Sequence, residues 1–218
     1  MIAESEVLVP VRFGGAPGVA HGGYTCGLLA SSVGPIEGTP VVSLLLPVPL
    51  DQPMHLEISP DQAVLVFDEQ VVATMVASPE PIPATPPLTA AEVARAVEDY
   101  PGHDQCFVCG QDSVDGLLLA PEAVGPNAVA CPWVPLETSP EVLWAVLDCP
   151  AGWATDEPMV LTRMAADLHT TPKPGEPHVV VARQVQRLGP VATTLSSIYA
   201  SDGTLVAAAT AQWTVPRF

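Results

Sequence analysis

Apolar and polar positions alternate over short stretches along most of the chain, a pattern that predicts many short β-strands. Before residue 78, strand-like runs occupy residues 6–13, 41–50, 54–58 and 63–77. After residue 105, similar runs occupy residues 116–120, 127–134, 177–186, 192–200 and 204–215. Residues 68–70 and 201–204 lie between apolar runs and are predicted hairpin turns, the second with an Asp-Gly pair.

Each half of the chain also contains one run that predicts a helix. The first run, AHGGYTCGLLASSVG at residues 20–34, begins with a histidine and two glycines, although glycine is unfavourable in a helix interior. In the second run, SPEVLWAVLDC, Ser139 is suited to cap the free amides and Pro140 suits the first helical position. Pro150 predicts that this helix ends or kinks nearby.

A proline-rich segment separates the two halves. Closely spaced prolines between residues 78 and 101 cannot continue a central strand or a helix interior. Within it, residues 89–100 predict one short helix with Thr89 as the N-cap. We therefore expect an N-terminal unit (1–78), a linker (79–105) and a C-terminal unit (106–218), each with a strand, a helix and a β-meander, which is an α+β organisation.

Composition excludes several classes of function. The net charge is −17 with only seven Lys and Arg residues, which argues against nucleic-acid binding through a basic surface. Hydrophobic residues make up 48% of the chain, yet no segment is long enough to span a bilayer, and the N-terminus lacks the pattern of a secretion signal. We expect a compact cytoplasmic protein without membrane association, whose five cysteines are reduced.

One helix wrapped by an antiparallel sheet, repeated in one chain, resembles the double hotdog arrangement of acyl-CoA thioesterases. Three segments carry the resemblance: HGG at the first helix, LWAVLDCPAGWA in the second, and CFVCGQDSVDGLLL at the start of the second half. The resemblance implies two antiparallel sheets, each wrapping a central helix, fused in one chain. It also implies a homodimer of such chains, since pairing would cover exposed sheet edges.

The resemblance further implies one site shared by the two units, formed by the glycine-headed helix of one and an acidic residue on the central helix of the other. When the two helices are aligned, His21 matches Ser139 and Ala30 matches Asp148. The first helix thus keeps HGG without the acid, and the second keeps the acid without HGG. We expect a single working site per chain.

The chemistry of this site would be hydrolysis of an acyl-CoA or related acyl thioester. The first-turn amides of Gly22 and Gly23 would hold the thioester oxygen as it becomes negative. Asp148 would act as a general base on water or as a nucleophile, with a pKa raised by its apolar surroundings. We expect His21 to orient the loop by hydrogen bonding. In the alternative interpretation, the two glycines have a structural role only and allow close packing.

Substrate-binding residues are also predicted. Arg183 and Arg187, four residues apart on a predicted strand, would share a face and bind the CoA phosphates. Trp144 would lie beside an acyl chain held between the helices. No cofactor is expected. The alternative function is non-catalytic binding of acyl thioesters or other apolar ligands, because Gly15 stands where related enzymes often have Asn or Gln, six residues before the histidine.

Two of the cysteines have the spacing of half a zinc site. Cys106 and Cys109 form a CxxC motif with His103 close by. A second CxxC is absent and Cys131 and Cys149 are isolated in sequence, so four ligands would have to be assembled by folding. The resemblance places the motif in the turn that opens the second hotdog unit. We therefore expect a turn or packing role, and no metal.

Overall fold

The structure is a computed structural model that describes residues 3–93, 104–155 and 157–216. Its eleven strands are β1 (Ala3–Val7), β2 (Thr39–Leu44), β3 (Met54–Ser59), β4 (Gln62–Phe67), β5 (Gln70–Ser78), β6 (Glu122–Gly125), β7 (Ala128–Trp133), β8 (Val160–Leu168), β9 (His178–Leu188), β10 (Val191–Ala200) and β11 (Leu205–Thr214). Its helices are α1 (Gly22–Ser32), the short α2 (Ala90–Val93) and α3 (Pro140–Trp153). Within the described ranges, no helix has the length and hydropathy needed to cross a membrane.

All eleven strands belong to one antiparallel sheet, in the order β1-β3-β4-β5-β2-β8-β11-β10-β9-β7-β6. The sequence predicted two sheets, and the structure has one because β2 pairs with β8 at the centre. The pairing joins Val41, Val42 and Ser43 to Ala165, Met164 and Arg163. Each half would otherwise leave an open edge of unpaired backbone groups, and this contact satisfies both edges.

The two halves of the sheet repeat one topology. Outward from the centre, the first half runs β2-β5-β4-β3-β1 and the second runs β8-β11-β10-β9-β7, with β6 added at the far edge. In chain order, each central helix follows the outer strand and precedes the central one: β1, α1, β2 and β7, α3, β8. The predicted order of strand, helix and meander is therefore present in both halves.

The helices α1 and α3 cross closely, and glycines make this possible. A Cβ atom on Gly23 would lie 2.4 Å from the Cβ of Asp148 and 3.0 Å from the Cα of Ala145. A Cβ atom on Gly27 would lie 2.6 Å from the Cα of Glu141. When the starts of α1 and α3 are aligned, Gly23 corresponds to Glu141 and Gly27 corresponds to Ala145. The Gly23–Ala145 contact is therefore equivalent to the Gly27–Glu141 contact. Close packing of the two helices thus explains the glycines near the start of α1, because any side chain there would push the helices apart.

Both predicted helix starts are confirmed. Nδ1 of His21 accepts a hydrogen bond from the Tyr24 amide at 3.3 Å, and Oγ of Ser139 accepts one from the Val142 amide at 3.4 Å. The helix α3 continues past Pro150 and ends three residues later at Trp153, which agrees with the expected end or kink near Pro150.

Several strand predictions need correction. Residues 116–120 form turn and irregular backbone, and residues 6–13 contain the end of β1 and a 3-10 turn at Val11–Phe13. The sequence pattern missed β6 and β8 altogether. The two predicted hairpin turns are confirmed: Asp68 and Glu69 adopt positive φ between β4 and β5, and Gly203 does so between β10 and β11.

The described part of the linker ends in α2. Its start is a capping box, in which the Glu92 amide donates to Oγ1 of Thr89 at 3.3 Å and the Thr89 amide donates to Oε2 of Glu92 at 2.7 Å. The remainder of the helix predicted at residues 89–100 lies outside the described residues.

Candidate functional site

The predicted acid lies against the predicted glycine-headed helix start. Asp148 is on α3 with only 5% of its surface exposed, and its Oδ2 accepts a hydrogen bond from the Gly23 amide at 2.6 Å. Its other oxygen, Oδ1, is buried and has no hydrogen-bond partner among the described residues. The carboxyl group is therefore anchored through one oxygen, while the second is unpaired.

Burial raises the pKa of Asp148 to about 7, even though the hydrogen bond from Gly23 lowers it. The upward direction agrees with the expectation from the apolar neighbours of this residue. A carboxyl group in this environment exchanges a proton far more readily near neutral pH than a solvated aspartate does.

His21 is buried beside this carboxyl group, with 2% of its surface exposed. Burial lowers its pKa to about 4, so the ring is neutral near pH 7. Its Nδ1 lies 3.4 Å from Oδ2 of Asp148, and its Nε2 lies 3.1 Å from Sγ of Cys149. Because the ring is neutral, its contact with Asp148 is polar rather than an ion pair.

The two glycine amides are not equivalent. The Gly23 amide is engaged by Asp148, whereas Gly22 is the first residue of α1, so its amide has no acceptor inside the helix. Gly22 is also partly exposed. A Cβ atom on it would lie 3.0 Å from Cδ2 of Leu161 and 3.4 Å from Cδ1 of Leu44. These two leucine side chains therefore lie next to Gly22.

Trp144 belongs to the helix crossing. It is 1% exposed, and its Cβ would lie 3.0 Å from a Cβ on Gly27. It occupies a core position, and its predicted contact with an acyl chain stays a prediction.

The predicted shared face of Arg183 and Arg187 is wrong. Arg183 pairs with Leu195 of β10, and Arg187 pairs with Ala192 of β10. These two β10 residues are three positions apart on a regular stretch of strand. Cross-strand partners share a face, and residues three apart lie on opposite faces. The β9–β10 register is irregular between these two pairs, where β9 has one extra residue. The extra residue reverses the alternation of side chains between the two faces of the sheet.

Among the residues that the structure describes, only Arg187 of this pair is held by a carboxylate. Arg187 is 2.5 Å from Oε1 of Glu157, and its side chain also donates to the Gly189 carbonyl at 2.7 Å and contacts Sδ of Met159 at 3.2 Å. Its partners Glu157 and Met159 follow the C-terminal end of α3. Arg183 is exposed.

The opposite end of the helix crossing has different chemistry. Ser139 stands at the position equivalent to His21, and Ala30 at the position equivalent to Asp148. An ion pair between Arg12 and Glu137, 2.6 Å long, lies just before the start of α3. In the described part of the chain, this end has a helix cap and the close packing, without a buried carboxyl group.

The CxxC motif forms a turn, and folding also brings it to the site. The Gly110 amide donates to the Cys106 carbonyl at 2.8 Å, which closes the turn. Sγ of Cys106 lies 3.6 Å from Sγ of Cys149, the neighbour of Asp148. The sequence analysis did not predict that Cys106 lies beside Cys149, although the CxxC spacing itself is typical of metal sites. His103 lies outside the described residues.

A surface cavity of about 380 Å³ lies elsewhere, at the outer part of the first half-sheet. Residues of β1, β3 and β4 and the following turn line it, among them Glu6, His55 and Glu69. None of the predicted site residues contributes to it.

No protein-family model matches the chain, and no curated protein matches it in sequence. Its fold, however, is that of hotdog proteins. A protein with a hot dog fold from Alicyclobacillus acidocaldarius superposes with a TM-score of 0.60 and 15% identity, covering 100% of this chain and 96% of that one.

Two similar structures carry thioesterase names. A proposed thioesterase from Novosphingobium aromaticivorans has a TM-score of 0.67 and 14% identity, covering 99% of this chain and 96% of that one. An acyl-CoA thioesterase II from Mycobacterium marinum has a TM-score of 0.59 and 14% identity, covering 100% of this chain and 92% of that one. At these identities the likeness concerns the fold.

Proposed function

We propose that this chain is a double hotdog protein that hydrolyses an acyl thioester at a single site, where α1 of the first unit meets α3 of the second. The observation that carries the proposal is the Asp148 carboxyl group, buried beside the HGG segment, held by the Gly23 amide and unpaired at Oδ1. The fold shared with proteins named as thioesterases supports the reaction class.

In the proposed reaction, Oδ1 of Asp148 takes a proton from a water molecule as the water oxygen attacks the thioester carbonyl carbon. The tetrahedral intermediate then collapses, its carbon–sulfur bond breaks, and the proton passes from Asp148 to the leaving thiolate. One thioester and one water thus give one carboxylic acid and one thiol. The hydrogen bond from Gly23 to Oδ2 would keep Oδ1 directed toward the water.

The Gly22 amide would stabilise the oxyanion of the intermediate. It lies in the first turn of α1, where amides lack intrahelical acceptors and the helix dipole favours negative charge. Removing one such donor typically costs about 3 kcal/mol of transition-state stabilisation. The Gly23 amide, engaged by Asp148, would contribute by positioning the base.

Substrate entry would require the side chains of Leu44 and Leu161, which lie next to the partly exposed Gly22, to move aside. The acyl carrier is proposed to be CoA, with Arg187 beside the C-terminal end of α3 meeting its phosphates. Two chains would form a homodimer through exposed sheet edges.

The test is thiol release from acyl-CoAs of graded chain length, measured for the wild type and for Asp148→Asn. The substitution keeps the shape of the side chain and removes the base, so kcat should fall by about 100-fold or more. Glu141→Gln, on the first turn of the same helix, is the matched control and should retain wild-type kcat. Full activity in Asp148→Asn would refute the assigned role of Asp148.

The second candidate function is binding of acyl thioesters without hydrolysis. The near-complete burial of Asp148 and the glycine at position 15 favour it. Calorimetry with the same acyl-CoAs separates the two functions. Measurable binding without any thiol release would replace the hydrolase by the binding protein.

A further inference from the structure

A cluster of thiol and imidazole groups lies next to the helix crossing and has no part in the proposed reaction. His21 caps α1, Cys149 lies on α3, and Cys106 begins the turn that opens the second half. Nε2 of His21 is 3.1 Å from Sγ of Cys149, and Sγ of Cys149 is 3.6 Å from Sγ of Cys106. The three ligand-type atoms all lie within 4.8 Å of one another.

A fourth candidate donor lies on the same turn. Cys109 is fully buried three residues after Cys106, next to the three groups whose ligand-type atoms already lie within 4.8 Å of one another. The CxxC turn that carries two of these thiols is fixed by backbone hydrogen bonds, from Gly110 to Cys106 and from Phe107 to the Gly14 carbonyl, both 2.8 Å long. Three separate chain segments therefore direct two sulfurs and one ring nitrogen to one point, and the CxxC turn carries the Cys109 thiol beside them.

We propose that His21, Cys106, Cys109 and Cys149 bind one zinc ion in a tetrahedral Cys3His site. With zinc–sulfur and zinc–nitrogen bonds of about 2.3 and 2.0 Å, tetrahedral ligands lie about 3.8 Å apart for two sulfurs and about 3.5 Å for sulfur and nitrogen. The observed separations of 3.6 and 3.1 Å are within about half an ångström of these values. The CxxC spacing is the one common in structural zinc sites.

The donor set selects the kind of metal. Three thiolates and an imidazole suit zinc and exclude magnesium and calcium, which prefer oxygen ligands. Four protein ligands leave no open position, so the zinc is structural rather than catalytic. A Cys106–Cys149 disulfide is the competing use of these groups, but it would need the two sulfurs to approach from 3.6 Å to about 2.05 Å.

The ion would connect the start of α1, the turn of the second half and α3. Coordination through Nε2 would place the His21 proton on Nδ1, which would then donate to Oδ2 of Asp148, 3.4 Å away, in place of accepting the long 3.3 Å hydrogen bond from the Tyr24 amide. This is the carboxylate–histidine–metal arrangement in which an outer carboxylate orients the ligand, and loss of such a carboxylate typically lowers metal affinity about 10- to 100-fold.

The first experiment measures metal content by elemental analysis after purification under reducing conditions. We expect about one zinc per chain, with occupancy lost in Cys106→Ser and Cys149→Ser. Cys26→Ala is the matched control, because Cys26 is a buried cysteine of α1 outside the four proposed ligands, and it should keep the metal. Equal loss of zinc in the control would overturn the assignment of ligands.

A second measurement does not depend on the folding of the variants. Wild-type protein stripped with a chelator and titrated with Co²⁺ should develop the visible bands and the thiolate charge-transfer absorption of tetrahedral cobalt at one equivalent. Absence of these bands, with all thiols open to alkylation after unfolding, would overturn the site. A Cys106–Cys149 disulfide found by mass spectrometry in the purified protein would overturn it in favour of redox chemistry. Neither readout depends on thioester hydrolysis.

Discussion

The two ends of the α1–α3 crossing use equivalent helix positions and differ in their polar chemistry. At one end His21 caps α1, and the Gly23 amide holds the buried Asp148 carboxyl group. At the other end Ser139 caps α3, and Ala30 stands in the place of the acid. Close helix approach is common to both ends, so glycine at the crossing does not by itself indicate a site.

What distinguishes the first end is a buried carboxyl group with an amide partner. Burying a carboxyl group costs free energy unless it is hydrogen-bonded, and Asp148 has only one of its oxygens satisfied by the described residues. The equivalent Ala30 carries no such cost. A protein that keeps one costly group and omits its counterpart is consistent with one working site.

The largest effect on stability is expected for Gly23→Ala. The new methyl group would lie 2.4 Å from the Cβ of Asp148 and 2.7 Å from the Trp144 carbonyl, atoms of α3 that cannot move independently. Overpacking costs about 1–3 kcal/mol or more, partly offset by helix propensity, so we expect a loss of about 2 kcal/mol in urea unfolding. Hydrolysis per folded molecule should fall at least about tenfold, because the helix start moves away from Asp148.

Gly27→Ala is the matched control at the equivalent contact. Its methyl group would meet the Cα of Glu141 at 2.6 Å, so the stability loss should be similar. Hydrolysis per folded molecule should stay within about twofold of wild type, because the Asp148 contact is at the other end. Equal loss of activity in both variants would mean that helix spacing alone, and not the Asp148 end, governs turnover.

An intermediate effect on stability is expected when the acid is moved. Adding Ala30→Asp to Asp148→Asn places a carboxyl group at the equivalent position. At that end Pro140, which has no N–H, stands in the place of Gly22, so the proposed oxyanion donor is missing. We expect no recovery of hydrolysis and a stability loss of about 1 kcal/mol from burying the new carboxyl group. Recovery of thiol release in this double variant would show that the Ser139 end is also competent.

The smallest effect is expected for the arginines near the two ends of α3. Arg187→Ala removes the ion pair with Glu157, a partly exposed contact whose contribution to stability is below about 1 kcal/mol. If Arg187 meets the CoA phosphates, KM for acyl-CoA should rise several-fold while kcat changes little. Arg12→Ala removes the ion pair with Glu137 and should leave KM unchanged. A rise in KM for Arg12→Ala alone would place the phosphates at the opposite end.

Local sequence determined much of this architecture. Ser139 with Pro140 marked a helix start, and turn residues at 68–70 and 201–204 marked two hairpins, because caps and turns depend on a few neighbouring residues. The complementary pattern of HGG and Asp148 also predicted a contact that the structure contains. The two halves of the chain follow a similar sequence plan and can be aligned without a structure. This alignment is what paired the HGG segment with Asp148.

Only the tertiary structure decided the rest. Strand β8, with Arg163, two alanines and Asp167, has a weak local strand pattern and forms through its pairing with β2 and β11. One extra residue in β9 placed Arg183 and Arg187 on opposite faces. The cysteine–histidine cluster joins residues up to 128 positions apart, and no local pattern encodes such a meeting. Propensity acts over a few residues, whereas pairing, register and ligand geometry depend on contacts that exist only after folding.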